Sequence, residues 1–159
     1  MAEINTTGLE ELSSAFMRHE QAADKAVEDM LQAEADEYVK ALKHAAAGYN
    51  IRKTGGFIES IKAGKIKDEG TAKSIEIVPE GRADHGADYG GGYSNMSNKR
   101  KGKAQKGNVR YATIGYIFEY GTSSLAARPW HTQGLLQGEQ PAYSKAQEIW
   151  EKYVSSTIS

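Results

Sequence analysis

Apolar residues recur at helical spacing through the first third of the chain. Leu9, Leu12, Phe16, Ala23, Val27, Met30 or Leu31, Tyr38, Leu42 and Ala45 follow steps of mostly three, four or seven, one face of a 3.6-residue period. Thr7 and Glu10 have capping-box spacing at its start, and Gly48 is a natural stop at its end. No Gly or Pro lies between Leu9 and Ala47. A helix of about 38 residues is roughly 57 Å long, against about 30 Å for a small domain. Such a helix either bends into two or carries a half, striped with Ala, Val and Met, that needs a partner to cover it.

After the Lys53-Thr54-Gly55-Gly56 turn, Thr54 is placed to cap one short helical turn over Phe57 to Ile61. Ile61 to Lys67 and Lys73 to Pro79 alternate, with Ile75 and Ile77 on one side and Ser74, Glu76 and Val78 on the other. With Asp68, Glu69 and Gly70 between them, they predict a β-hairpin. Residues 80–108 are polar, hold seven glycines and almost no aliphatic residue. That composition builds no packed core, so it predicts a mobile loop or an arm ordered by a neighbour. From Tyr111 to Tyr120 the period is ambiguous. Ala112, Ile114, Tyr116, Phe118 and Tyr120 alternate as in a strand, whereas Tyr111, Ile114 and Phe118 fit a helix. Pro129 suits the first turn of a last helix, with Trp130, Leu135 or Leu136, Tyr143, Ala146, Ile149, Trp150 and Tyr153 as its buried stripe and Pro141 as a kink or break.

The elements predict an α+β fold: a long N-terminal helix, a small antiparallel sheet with a long hairpin-like insertion, and a C-terminal helix packed on the sheet. The expected organisation is one domain, with helix 1–48 joined to a core over 49–159 and the insertion at about 80–108. A length of 159 residues suits that. The net charge of -1 gives no whole-chain case for nucleic acid. The chain has no cysteine, which excludes disulfides, thiolate metal sites and Cys nucleophiles. Met1 to Glu11 carries acids where a secretion signal carries Lys or Arg, and no apolar run approaches the roughly 18 residues of a membrane span. A soluble protein without a membrane partner is expected.

Little of the chain points to chemistry. Asp84, His85 and Asp88 are possible metal ligands, but one His and two Asp make no tetrahedral set. His19 and His44 fall in the long helix. No G-x-S-x-G elbow and no phosphate-binding G-x-x-x-x-G-K-[ST] occurs. No catalytic residue, cofactor or metal is expected. Glu119, between two aromatics beside Gly121, is expected to pair with Arg128 and pin the following loop to the last helix, with Gly121 supplying a backbone that other residues resist. Lys99, Arg100, Lys101, Lys103, Lys106 and Arg110 form a basic run without an acid. It reads as a solvated loop, as an arm docking on acidic neighbours, or as a contact to DNA phosphates.

Four segments in order carry a resemblance: Thr54-Gly55-Gly56-Phe57-Ile58-Glu59-Ser60-Ile61, Tyr111-Ala112, Phe118-Glu119-Tyr120-Gly121-Thr122 and Ala127-Arg128-Pro129-Trp130. Together they resemble the gene-product-ten-like family of lambdoid phages, over about Thr54 to Tyr153. Thr113-Ile114-Gly115-Tyr116 looks like an addition, and Thr132-Gln133-Gly134 stands where that family often has a second Pro. The resemblance implies a virion structural protein of the neck or tail, assembled in the host cytoplasm and acting in head–tail joining or tail completion, with a tail-terminator ring as the alternative. It implies a ring of copies, expected as a hexamer, between connector and tail-tube proteins, with DNA passing through the channel. Thr54, Gly55, Ser60, Ile61, Tyr111, Ala112, Glu119, Gly121, Thr122, Arg128, Pro129 and Trp130 are then the motif residues.

Overall fold

The computed structural model describes residues 7–51, 55–70, 72–83 and 109–158. One helix, α1, runs from Thr7 to Gly48 without a break. Its end is set two residues further on. Asn50 adopts the left-handed region at φ 55, the Asn50 N–H donates to the Ala47 carbonyl, and the Ile51 N–H reaches back to Ala46 at 3.0 Å. These are the two bonds of a Schellman stop, with Ile51 buried as its apolar contact. Gly48, expected to end the helix, is its last residue, and Asn50 makes the turn.

A short helix α2 (Gly56–Ser60) begins after Gly55, which is left-handed at φ 82. The hairpin follows as two ladders. β1 (Ile61–Ala63) pairs antiparallel with β4 (Ile77–Pro79), and β2 (Lys67–Asp68) pairs with β3 (Lys73–Ser74). Ala63 faces Ile77 but Lys67 faces Ser74, so residues 64–66 stand opposite 75–76 and the first arm carries a one-residue bulge. Ile75, Ile77 and Pro79 are half-buried while Ser74, Glu76 and Val78 are exposed, the alternation expected. β5 (Arg82–Ala83) pairs with β6 (Val109–Arg110), closing the root of residues 84–108, which lie outside the described residues.

Residues 111–120 form a helix, α3 (Tyr111–Tyr120). The strand-like alternation loses because the helical face fits the core: Ile114, Gly115 and Glu119 are buried, with Tyr111 and Phe118 packed beside them. The last helix, α4 (Trp130–Ile158), stays one helix through Pro141, which is exposed.

α4 lies antiparallel along α1. Gly134 faces Leu42, Gly138 faces Tyr38, and the Tyr153 hydroxyl reaches the His19 carbonyl at 3.4 Å. Its buried side is small: Gly134, Gly138, Ala142 and Ala146 at four-residue steps. A Cβ on Gly134 would come within 2.8 Å of the Leu42 Cα, so the backbones meet too closely for larger residues. The expected stripe is therefore corrected. Leu135, Leu136, Tyr143 and Trp150 point outward, and Val27 on α1 is exposed, with Ala26 taking the inward place. The core gathers Leu42 and Ala46 of α1, Phe57, Ile61 and Ile114, and Trp130, the first residue of α4. This is the expected α+β class, with the strands, α3 and both long helices sharing one cluster of apolar side chains.

Candidate functional site

Of the motif residues, Glu119, Gly121, Thr122, Arg128, Pro129 and Trp130 come together where α3 ends and α4 begins. Pro129 precedes α4 and has no side-chain oxygen to satisfy the free N–H groups of the first turn. Glu119, 9% exposed, supplies the cap from outside the helix. Its Oε2 accepts the His131 N–H at 2.7 Å. Its Oε1 accepts the Thr132 N–H at 3.2 Å and the Thr132 hydroxyl at 2.6 Å. A buried carboxylate is tolerable here because three donors and the positive helix end face it.

Glu119 thus does not pair with Arg128. The Arg128 N–H donates to the Phe118 carbonyl at 2.6 Å, its guanidinium sits 5.4 Å from the Phe118 ring centre, and its Nη1 approaches the Tyr49 carbonyl at 3.4 Å. Two adjacent residues of α3 hold the two ends of one turn, Phe118 through Arg128 and Glu119 through α4. Sequence spacing suggested a charge pair because both residues border the same loop. The helical twist between Phe118 and Glu119 sends them to different partners.

Between these anchors the loop folds on Gly121. Its φ is 73, and a Cβ there would stand 2.6 Å from the Leu125 carbonyl oxygen and 2.8 Å from the Ala127 nitrogen. Thr122 bridges Leu125, and its Oγ1 lies 3.3 Å from the Ser124 N–H. Trp130 enters the core edge-on to Phe57, ring centres 5.1 Å apart, and its indole N–H donates to the Gly115 carbonyl at 3.0 Å. Gly115 leaves room for both rings, since a Cβ would lie 2.9 Å from Trp130 and 3.3 Å from Phe57. Ser60, also buried, donates to the Phe57 carbonyl at 2.6 Å and receives the Glu80 N–H on its own carbonyl at 2.7 Å. Ile61 is fully buried, Tyr111 is half-buried beside Phe57, and Ala112 is exposed. Thr54 lies outside the described residues.

A second cluster went unread in the sequence. The Lys73 side chain, 8% exposed, reaches from β3 to Asp24 at 2.6 Å and Glu28 at 2.7 Å on α1, and to Asp68 at 3.5 Å across its own hairpin. The hydrogen bonds it donates to Asp24 and then Glu28 raise the Lys73 ammonium above its ordinary pKa. The Gly70 N–H, 2.8 Å from the Asp68 carboxylate, and then Lys73 itself hold Asp68 below its own. The cluster ties the hairpin tip to the middle of α1. Only an i,i+4 acid pair on α1 hinted at it, and such pairs are common on exposed helix faces.

The large apolar residues excluded from the core form the exposed surface of interest. Tyr116 and Tyr120 of α3, 66% and 69% exposed with ring centres 4.7 Å apart, wall a groove of about 260 Å³ over Gly115, Val78 and Trp130. Leu136, Tyr143 and Trp150 lie along α4, and Phe16 and Met17 near the start of α1. Of the basic run, Lys99, Arg100, Lys101, Lys103 and Lys106 lie outside the described residues, as do Asp84, His85 and Asp88; Arg110 is exposed on β6 opposite Arg82. Among the described residues no group of three or more His, Asp or Glu is placed to hold a metal, and no helix is long and apolar enough to cross a membrane.

The family model for bacteriophage HK97-gp10-like tail components matches residues 10–115 of the 159. The chain belongs to that family. The matched stretch runs from α1 into α3, and so contains the Gly55–Ile61 and Tyr111-Ala112 segments; the Glu119–Thr122 and Arg128–Trp130 segments lie beyond it. No curated protein and no solved structure matches the chain. Membership makes the chain a structural protein of the phage tail and neck class, not an enzyme.

Proposed function

We propose that the chain is a head–tail joining or tail-completion protein that works by assembling with copies of itself into a ring, expected as a hexamer, between connector and tail-tube proteins. The observation that carries this is the inverted packing of the long helices. α4 meets Leu42 and Tyr38 of α1 with Gly and Ala, while the bulky residues Leu136, Tyr143 and Trp150 of α4 and Phe16 and Met17 of α1 face out. Exposed apolar surface on this scale marks an interaction site. It suits a protein whose activity is assembly, with charged loops setting register. The basic run Lys99, Arg100, Lys101, Lys103, Lys106 and Arg110 suits DNA phosphates passing through the channel of such a ring.

An amber mutation in the gene, grown in a non-suppressing host and viewed by electron microscopy, tests the reading. Filled heads beside separate tails of normal length are expected. Over-long tail tubes would overturn joining in favour of a tail-terminator ring. Complete, infectious particles would overturn both.

A further inference from the structure

β4 is an edge strand. Among the described residues it pairs with β1 alone. The Gly64 N–H donates to the Glu76 carbonyl and the Glu80 N–H to the Ser60 carbonyl, each at 2.7 Å. Bonds alternate along an antiparallel ladder, so Val78 exchanges the bonds between these with Lys62, and the N–H and C=O of Ile77 point away from β1. Neither meets a partner among the described residues. The groove beside α3 lies on that side. Successive residues of a strand face opposite ways, yet Ile77, Val78 and Pro79 all line it, so it meets β4 along the edge. Tyr116 and Tyr120 wall its far side.

We infer that this groove takes an extended segment of a neighbouring virion protein, which adds to β4 as the next strand and packs an apolar side chain against the Tyr116 and Tyr120 rings. The inference rests on the assembly reading above and names one contact to a partner. The open edge is what selects the occupant. A helix spends its backbone groups on itself and would cover the Ile77 N–H without an acceptor, which is costly. An extended segment brings a carbonyl to that N–H and an N–H to the Ile77 carbonyl. The walls select its side chain. Glu119 also lines the groove, but its oxygens are engaged by His131 and Thr132, so an apolar group meets no bare carboxylate. Charge at the strand ends selects its flank. Glu76 is held by Lys67 at 2.7 Å, whereas Glu80 is exposed directly past Pro79 and favours Lys or Arg at that end of the incoming strand.

The test is an array of overlapping short peptides covering the virion proteins of the parent phage, this chain included, probed with the full chain. Peptides of a neighbouring protein are expected to bind and, when bound, to slow exchange of the Ile77 N–H with solvent. Tyr116→Ala with Tyr120→Ala is expected to weaken them at least about tenfold, since aromatic contacts dominate such sites. Both positions are exposed, so an unchanged circular dichroism spectrum checks folding. Binding that weakens in this variant but leaves Ile77 exchange unchanged overturns the added strand. Binding that the variant leaves unaffected overturns the site. If only peptides of this chain bind, the occupant is a second copy and the neighbouring partner is overturned. If no peptide binds, the docking is overturned and the ring reading stands; that reading falls separately, on the phenotype of the amber mutation.

Discussion

Glu119 shows how one side chain joins two helices. With its carboxylate removed, the first turn of α4 loses the acceptor for two N–H groups and one hydroxyl. Hydrogen bonds to a charged group contribute about 1.5–3 kcal/mol. Glu119→Ala should therefore lower unfolding stability by about 2 kcal/mol, read as a shift of the urea midpoint at constant slope; an unmoved midpoint would show that the cap is dispensable. Gly121 makes a backbone demand. At φ 73, with the Leu125 oxygen 2.6 Å from where a Cβ would stand, Gly121→Ala has no way to relax without moving the loop. A loss of at least about 1–3 kcal/mol is expected in the same assay. Gly and Glu were visible as a motif in the sequence. Glu119's partners were not, because they depend on where α4 begins in space.

At the scale of elements, the α1–α4 packing sets a helix-propensity rule against a packing rule. Gly134→Ala gains up to about 1 kcal/mol of helix propensity. It also places a Cβ 2.8 Å from the Leu42 backbone, and overpacking costs about 1–3 kcal/mol. The net effect should be destabilising, and a higher melting temperature in Gly134→Ala would mean that the helices separate freely. The hairpin offers a pH-dependent counterpart. Asp68 has a lowered pKa, so its contribution is present above the ordinary carboxylate value near 4 and is lost as pH falls through its folded value. Lys73 has a raised pKa, so its contribution is full below the ordinary lysine value near 10 and is lost as pH rises through its folded value. The hairpin should stay latched to α1 between these limits. Lys73→Met should lower the melting temperature within the window and flatten its fall at acid pH. Identical pH profiles for the two proteins would remove the latch.

For the whole molecule, the core decides how it unfolds. Leu42 and Ala46 of α1 share one cluster with Phe57, Ile61 and Trp130, so α1 is expected to melt with the rest despite its 42 residues. Trp130 fluorescence, isolated in Trp150→Gln because the chain has two tryptophans, and the far-UV helix signal should give coincident urea transitions. An early loss of helix signal would show α1 folding as a separate unit. In wild type, assembly should make the melting temperature rise with concentration, since only folded copies associate.

The hydrophobic period by itself determined the long helix, the hairpin and the α+β class, because these follow from local repeats of 3.6 and 2 residues. The Gly-Thr and Arg-Pro segments marked the turn between α3 and α4 for the same local reason. Only the tertiary structure decided which side of each helix is inside. From Leu136, Tyr143 and Trp150 the larger residues read as core, yet Gly134, Gly138, Ala142 and Ala146 hold that place. Burial depends on how near the neighbouring backbone comes, and the close approach of α1 leaves room for hydrogen or methyl alone. Close fit also chose helix over strand for Tyr111–Tyr120, where Gly115 lies against Trp130 and Phe57, and the tight approach of α1 to α4 turned the bulky residues outward.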